Sequence, residues 1–244
     1  MHRFLTLIML LAALSISACS DNNTPSTPTP TPTSAITPAT TALAVTQTQT
    51  YSLTATPAPT TVTWVSSNTN ALTIDSGGTA TAVGVGAATI TATGDAAQTA
   101  ALTVQTVPLY QGNWAGTATV LACTDLAGFA AAGYCARNLG TTQQVTLSLT
   151  QSGLTVSGTM TKAEGGGLIS GSVSGTTGIA GDITLTGTLS GIVNGANLQL
   201  ALISWNSLAD GANMAGTWSG NMTSPQILGI ATLQWSPLRL TLVP

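Results

Sequence analysis

The sequence predicts an all-β protein with two folded modules, a small β-sandwich followed by an antiparallel β-barrel of about eight strands. Three observations support this prediction. Apolar residues recur at every second position in short runs, first across residues 42–107 and again across residues 108–244. Turn pairs that tolerate positive φ separate many of these runs, among them Ser152-Gly153, Asn194-Gly195 and Asp210-Gly211. No helical 3.6-residue period is present over any length of either region.

The first residues predict a secretory signal peptide over residues 1–18. His2 and Arg3 give a basic start, and the apolar run from Phe4 is shorter than the ~20 residues that span a bilayer. The stretch Leu14-Ser15-Ile16-Ser17-Ala18-Cys19 resembles the lipobox of bacterial lipoproteins. That resemblance implies cleavage before Cys19, lipidation of its sulfur and anchoring to a membrane by acyl chains. Ser20 in the next position favours the bacterial outer membrane over the inner one.

Residues 19–41 predict a tether between the lipid and the folded part. The segment is rich in Thr, Ser and Ala, and its prolines are Pro25, Pro28, Pro30, Pro32 and Pro38. Such a composition has too few apolar side chains to offset the entropy of ordering. Closely spaced prolines favour an extended and semi-rigid chain.

Composition argues against several functions. Only 5% of the residues are charged. After cleavage, three cations (Arg137, Lys162, Arg239) face seven acids, a net charge of 3 − 7 = −4. This balance excludes nucleic acid as a partner, since phosphates are bound by clustered Lys and Arg. The only histidine, His2, lies in the signal, so we expect no catalytic triad, no metal site and no cofactor.

One enzymatic alternative stays open at the level of sequence. Two carboxylates from distant segments, such as Glu164 and Asp182, could meet in the fold as the acid pair of a glycan-acting hydrolase. Isolated acids are more often solvated turn residues, so we expect the protein not to be an enzyme.

The remaining cysteines predict a structural disulfide. With Cys19 assigned to the lipid, Cys123 and Cys135 are left as an isolated pair outside the cytoplasm. A disulfide between them would pin the intervening loop, which could cover one mouth of the barrel. Closing a loop of this size contributes ~3 kcal/mol in the loop-entropy picture.

The sandwich region carries a family resemblance. Trp64 precedes Ser66-Ser67-Asn68, a hydrophobic-Asp turn follows at residues 74–78, and a Val-Gly-x-Gly-x-Ala-x-Ile-x-Ala run spans residues 83–92. In this order the motifs resemble the bacterial immunoglobulin-like domain of group 2. The resemblance implies an immunoglobulin-like sandwich over residues 42–107 that acts as a non-catalytic spacer or adhesion module. By analogy with other such sandwiches, Trp64 is expected to pack in the core.

The second region predicts an up-and-down barrel. Eight or nine alternating strands joined by short turns close most economically in this way, and closure removes sheet edges that invite aggregation. Gly112-Asn113-Trp114, echoed by Gly216-Thr217-Trp218, loosely resembles lipocalin and avidin-like barrels, which supports the shape but no ligand-contacting residue. A membrane-spanning barrel is a further alternative, disfavoured by the short strands and by the few aromatic residues available for interface girdles.

Four tryptophans in the barrel leave two interpretations open. They could fill the interior, since an eight-stranded barrel is just wide enough for its own side chains. They could also line a ligand site at the mouth. We assign Trp114 and Trp218 to the core, and we take Trp205 and Trp235, near strand ends, as the candidates for ligand contact.

The sequence therefore predicts a lipid-anchored protein of the bacterial cell envelope, without catalytic activity. The immunoglobulin-like domain would be a spacer, and the barrel would bind a small molecule, a glycan or a partner protein. A purely structural or adhesive protein with a filled barrel is the alternative.

Overall fold

The computed structural model describes residues 33–244, which belong to one compact unit. The predicted signal peptide, Cys19 and the first part of the predicted tether lie outside these residues. Two β-modules follow one another along the described chain, a sandwich that ends at Val107 and a barrel that begins at Gly112.

The sandwich is built from nine short strands. They are β1 (Ser34–Thr37), β2 (Ala42–Ala44), β3 (Thr48–Thr50), β4 (Ser52–Ala55), β5 (Val62–Ser66), β6 (Leu72–Ile74), β7 (Thr79–Ala82), β8 (Gly86–Gly94) and β9 (Thr99–Val107). They form a four-stranded sheet in the order β2-β9-β8-β5, a three-stranded sheet in the order β3-β7-β6, and the pair β1-β4. Strand β2 runs parallel to β9, and the other pairs are antiparallel.

The sandwich core is small and mainly aliphatic, with Leu72, Ile90 and Val104 fully buried. Trp64 packs against this core and is only partly buried. The reason is that β5 is an edge strand, so one side of the indole has no neighbouring strand. Its other side lies against the turn at Gly78, where an added Cβ would come within 3.0 Å of the indole ring.

The sandwich begins earlier than the predicted boundary at residue 42. Strand β1 lies within the predicted tether and pairs with β4 from Ser34↔Ala55 to Thr37↔Ser52. Only Ile36 of this strand is buried, and it joins the sandwich core. A single large apolar residue among Thr, Ser and Pro gives no alternating pattern from which a strand could be predicted. The strand forms nevertheless, because backbone hydrogen bonds between strands do not require apolar side chains.

The barrel has eight antiparallel strands and closes fully. They are β10 (Gly112–Asp125), β11 (Thr142–Ser152), β12 (Thr155–Glu164), β13 (Gly167–Thr177), β14 (Asp182–Val193), β15 (Ala196–Asp210), β16 (Asn213–Ser224) and β17 (Ile227–Val243). Each strand pairs with the next, and β10 pairs with β17 to complete the ring. The prediction of an up-and-down barrel of about eight strands is confirmed.

Strand β17 joins two segments that the sequence separates. Ser236-Pro237 interrupts the alternation in the sequence, but the chain continues as one strand from Ile227 to Val243. Proline lacks a backbone donor and is tolerated where pairing is irregular. Here it falls at a register shift, since Ala118 pairs with Leu238 whereas Val120 pairs with Trp235.

The barrel interior is filled by its own side chains. Burial alternates strictly along β11, where Gln143, Val145, Leu147, Leu149 and Gln151 point inward. All four barrel tryptophans are at most 2% exposed and belong to a single hydrophobic cluster. Neighbouring strands approach each other closely at Gly158 and Gly175. An added Cβ at either position would lie within 1.9 Å of a carbonyl oxygen of a neighbouring strand, so only glycine fits there.

The chain enters the barrel at its proximal end, which we define as the end that holds the turns at residues 153–154, 178–181 and 211–212. The side chain of Tyr110 closes this end, and we call it the plug. Tyr110, in the linker between the modules, is fully buried. Its hydroxyl donates to the Gly181 carbonyl and accepts from Ala209 N at 3.1 Å. Gln151 holds the linker backbone, since it accepts from Tyr110 N at 2.6 Å and donates to the Pro108 carbonyl at 3.1 Å.

The opposite, distal end is covered by two short helices between β10 and β11, α1 (Gly128–Ala131) and α2 (Tyr134–Asn138). Phe129 and Tyr134 from these helices are buried against the barrel core, with their rings edge to face at 5.3 Å. Within residues 33–244, no helix has the length and apolar character needed to cross a bilayer.

Because Tyr110 is buried, we predict that the folded protein loses stability at high pH. Burial raises the pKa of Tyr110 to about 12. The folded state therefore keeps this proton between pH ~10 and ~12 while the unfolded state loses it, so the free energy of unfolding falls as pH rises through this range. Tyr110→Phe should make that decline shallower by up to ~1.4 kcal/mol per pH unit.

Guanidinium unfolding of both proteins at several pH values from 8 to 11.5 measures the two slopes. The other tyrosines contribute equally to both proteins. At pH 7 the variant should lose ~1–3 kcal/mol, because Ala209 N–H loses its acceptor. Parallel pH profiles would show that Tyr110 is not the group responsible.

Candidate binding site at the distal end of the barrel

A disulfide fixes the distal helices to the barrel wall. Cys123 on β10 is bonded to Cys135 on α2, with 5.4 Å between their Cα atoms, which confirms the predicted pairing. The Asp125 carboxylate adds a second attachment, because it accepts from Cys135 N at 2.8 Å. The helices are too short to hold their place alone, so these two links determine where Tyr134 lies.

Beside the helices, β11 and β12 separate and open a cleft. Their pairing begins at Val145↔Lys162, and the last inward residues of the two strands, Gln143 and Glu164, are not paired with each other. A cavity of about 680 Å³ opens here between α2 and the glycine turn at residues 165–167. A second cavity of about 220 Å³ lies beneath α1 and α2. The two share the residues Arg137, Asn138, Glu164, Gly165 and Asn194.

A buried ion pair lies next to the two cavities, and its Glu164 lines both of them. Lys162 and Glu164 point inward from β12 and are 0% and 3% exposed. The Lys162 ammonium donates to Glu164 Oε2 and, at 3.2 Å, to the Ala163 carbonyl. The other carboxylate oxygen, Oε1, accepts from the Tyr134 hydroxyl at 2.9 Å. Each charge is therefore paired and hydrogen-bonded, as a buried charge must be.

The ion pair is linked to the tryptophan core. The Lys162 ammonium lies 5.2 Å from the centre of the Trp235 ring, within reach of a cation–π interaction. Trp235 stacks on Trp218, with ring centres 3.7 Å apart and planes within 6°. The Trp235 indole N–H donates to Gln143 Oε1 at 2.7 Å, which links the core to a residue that lines the larger cavity. Within α2, Asn138 Nδ2 donates to the Tyr134 carbonyl at 2.9 Å.

Burial shifts the titration of two of these groups. It raises the pKa of Tyr134 well above its usual range, and the neighbouring Glu164 carboxylate raises it further. It lowers the pKa of Lys162, against the opposing influence of Glu164. Tyr134 is thus held as a neutral donor, and the Glu164 carboxylate partly offsets the lowering of the Lys162 pKa that burial causes.

The tryptophans predicted to contact a ligand lie in the core instead. Trp205 is 1% exposed and Trp235 is 0% exposed, and neither lines the two distal cavities. Both point inward from the middle of long strands, because β15 and β17 extend well beyond the strand ends that the sequence indicates. Trp114 and Trp218 are also placed in the core.

The two acids considered as a hydrolase pair do not meet. Glu164 ends β12 at the distal end, whereas Asp182 begins β14 at the proximal end. They therefore share no cleft and cannot act on one bond. Among residues 33–244, no three His, Cys, Asp or Glu side chains converge as metal ligands.

Comparison with known proteins identifies the first module. Residues 30–104 match the family model described as the bacterial Ig-like domain (group 2). This part of the chain is a group 2 bacterial Ig-like domain. The match starts ahead of strand β1, in agreement with the early start of the sandwich. A search of curated proteins found no match to the chain.

The Ig-like domain and the β-barrel fit a surface or adhesion-type protein, and the Ig-like domain fits a bacterial surface or extracellular location. The cleft lies outside the Ig-like domain, at the far end of the barrel. Sequence reasoning missed its lining residues Gln143, Asn138 and Asn194. The sequence did contain a signal for this site. Side chains alternate between the two faces of a strand, and Gln143, Lys162 and Glu164 fall at the positions of β11 and β12 that face the interior.

The ion pair predicts a strongly unequal effect of single and double substitutions. Lys162→Met leaves the Glu164 charge buried without its cation, which should lower the free energy of unfolding by ~3–5 kcal/mol. Lys162→Met combined with Glu164→Gln removes both charges and keeps an acceptor for Tyr134. It should recover most of that loss.

Urea unfolding at pH 7 of the wild type, both single variants and the double variant gives the coupling energy directly. Additive losses would mean that Lys162 and Glu164 do not stabilise each other.

Proposed function

We propose that this chain is a non-catalytic, lipid-anchored protein of the bacterial cell surface, in which the Ig-like domain is a spacer and the distal end of the barrel is the binding end. The observation that carries the proposal is the contrast between a filled, capped interior and an open distal cleft. A ligand therefore binds at this end rather than inside the barrel.

The order of the modules supports the spacer role. Cys19, the proposed site of lipidation, precedes the Ig-like domain in the chain, and the barrel follows that domain. The linker enters the barrel at the proximal end, where Tyr110 and Gln151 hold it. The distal cleft is consequently at the end of the barrel away from the attachment point.

The chemistry of the cleft supports a binding role without catalysis. Lys162 and Glu164 neutralise each other, and Tyr134 already donates to the carboxylate. A general acid must give its proton to a substrate, whereas the Tyr134 hydroxyl and the Lys162 ammonium already donate to Glu164. Amide and hydroxyl side chains make up much of the remaining lining, including Asn138, Gln144 and Asn194. Such groups hold a polar ligand by hydrogen bonds.

Deleting each module separately tests the assignment. Cells displaying the full chain, a chain without residues 108–244 and a chain without residues 34–107 are compared for adhesion to the same bacterial and host surfaces. Loss of the barrel should abolish adhesion, and loss of the Ig-like domain should leave binding by purified protein intact. Circular dichroism of each deletion product checks that the retained module is folded. Adhesion that survives removal of the barrel contradicts the proposal.

The lipid anchor has its own test. Cys19→Ala should release the protein from the membrane fraction, and mass spectrometry of the wild-type N-terminal peptide should find acyl chains on Cys19. Unchanged membrane fractionation of the variant would show that the anchor lies elsewhere.

A further inference from the structure

We propose that the two connected distal cavities bind an N-acetylated hexosamine unit of a glycan. The sugar hydroxyls would occupy the larger cavity, and the methyl group of the acetamido substituent would enter the smaller one. The inference rests on the proposed function, because it takes the distal end as the binding end. It names the class of ligand, which the family match does not.

The larger cavity is suited to a neutral polyhydroxylated ring. Its wall carries uncharged hydrogen-bonding side chains, among them Asn138, Thr142, Gln144 and Asn194. The turn at residues 165–167 adds exposed glycine backbone, and an added Cβ at Gly166 would meet nothing within 4 Å. A ring can therefore approach the main chain of this turn closely.

Glu164 supplies the acceptor at the junction of the two cavities, since it lines both. Each of its oxygens has one protein partner, Tyr134 on Oε1 and Lys162 on Oε2. A carboxylate oxygen has two lone-pair sites, so each oxygen keeps capacity for one ligand hydroxyl. Two neighbouring hydroxyls of a sugar match this pair of acceptors, and hydrogen bonds to an ionised group are the stronger kind.

The smaller cavity explains why the sugar is N-acetylated. Phe129, Val193, Leu198 and Ile227 provide most of its apolar wall, and its volume of about 220 Å³ leaves ample room for an acetamido substituent. Asn138 and Asn194 stand where the two cavities meet. Asn138 Nδ2 already donates to the Tyr134 carbonyl and Asn194 Nδ2 to the Gly165 carbonyl, so each amide keeps one N–H and a free lone pair on its oxygen for a ligand. An acetamido group needs this combination, with amide partners for its C=O and N–H and an apolar space for its methyl group.

Charge argues against an anionic ligand at this site. Arg137 is the only cation lining either cavity, and its Nη1 already donates to the Ala132 carbonyl. The Lys162 charge is matched by Glu164, so a phosphate or carboxylate would meet one partly engaged guanidinium beside a carboxylate. An uncharged sugar meets no such repulsion.

A matched pair of probes tests the inference on the protein beginning at residue 20. Isothermal titration with the trimer of N-acetylglucosamine is compared with titration with the glucose trimer of the same β-1,4 linkage. We expect the N-acetylated trimer to bind at least tenfold more tightly, because only its acetamido groups can fill the smaller cavity.

Two variants with matched controls locate the binding. Ala132→Leu places a larger side chain at the smaller cavity and should lower affinity for the N-acetylated trimer at least fivefold. Ala130→Leu, two residues earlier in the chain and outside both cavities, should not. Gly166→Asn should weaken binding of this trimer, whereas Gly211→Asn, in an equally open positive-φ turn at the proximal end, should have no effect.

Thermal melts of all four variants verify that each is folded. Equal affinity for the two trimers overturns the N-acetyl assignment, and equal effects of a variant and its control overturn the location. Failure to bind either trimer, with barrel-dependent adhesion to cells retained, overturns the sugar inference alone. Adhesion that does not need the barrel overturns the proposed function as well.

Discussion

The pairing of β10 with β17 closes the barrel, and the rest of the module depends on that closure. A closed ring leaves no exposed edge, which matters in a chain with only 5% charged residues to keep it from aggregating. Eight strands enclose just enough space for side chains, and this interior is filled by tryptophans and aliphatic residues. Closure also separates two ends. One receives the linker and its tyrosine plug, and the other is available for a ligand.

The polar cluster at the distal end is the exception to an otherwise apolar interior. A buried ion pair contributes little net stability compared with apolar residues of the same size, and breaking it is costly. Its position suggests a different role. Lys162 and Tyr134 both donate to the Glu164 carboxylate and orient it at the junction of two cavities. Cys123 and Cys135 fix the helix that carries Tyr134. The site is therefore organised before any ligand arrives, which reduces the entropic cost of binding.

Much of the fold could be predicted from the sequence because β-alternation is a local signal. The eight barrel strands, the three turn pairs and the disulfide all follow from spacing and residue type. Strand β1 could not be predicted, since its only buried residue is Ile36 within a Pro- and Thr-rich segment. The site depends on longer-range facts. The disulfide indicated that the loop between Cys123 and Cys135 could cover one mouth of the barrel. Nothing local indicates that β11 and β12 separate beyond Val145, or that Tyr134 meets Glu164 at that mouth. The assignment of Trp205 and Trp235 to a ligand site was wrong because it placed them near strand ends. Strands β15 and β17 are longer than the sequence indicates, so both residues lie in mid-strand and point into the core.

The placement of the chain at the barrel entrance has a mechanical consequence. Strand β10 leaves the linker at the proximal end, and its neighbour β17 finishes beside it, with Asn113 paired to Val243. A ligand held at the distal end and a tether attached through the linker would pull the barrel from opposite ends. That force runs along the strands and loads the lateral backbone hydrogen bonds of the β10 ladders in shear, so that many must break together rather than one after another. The same geometry that leaves the distal end open therefore suits the barrel to withstand tension between a cell and whatever it holds.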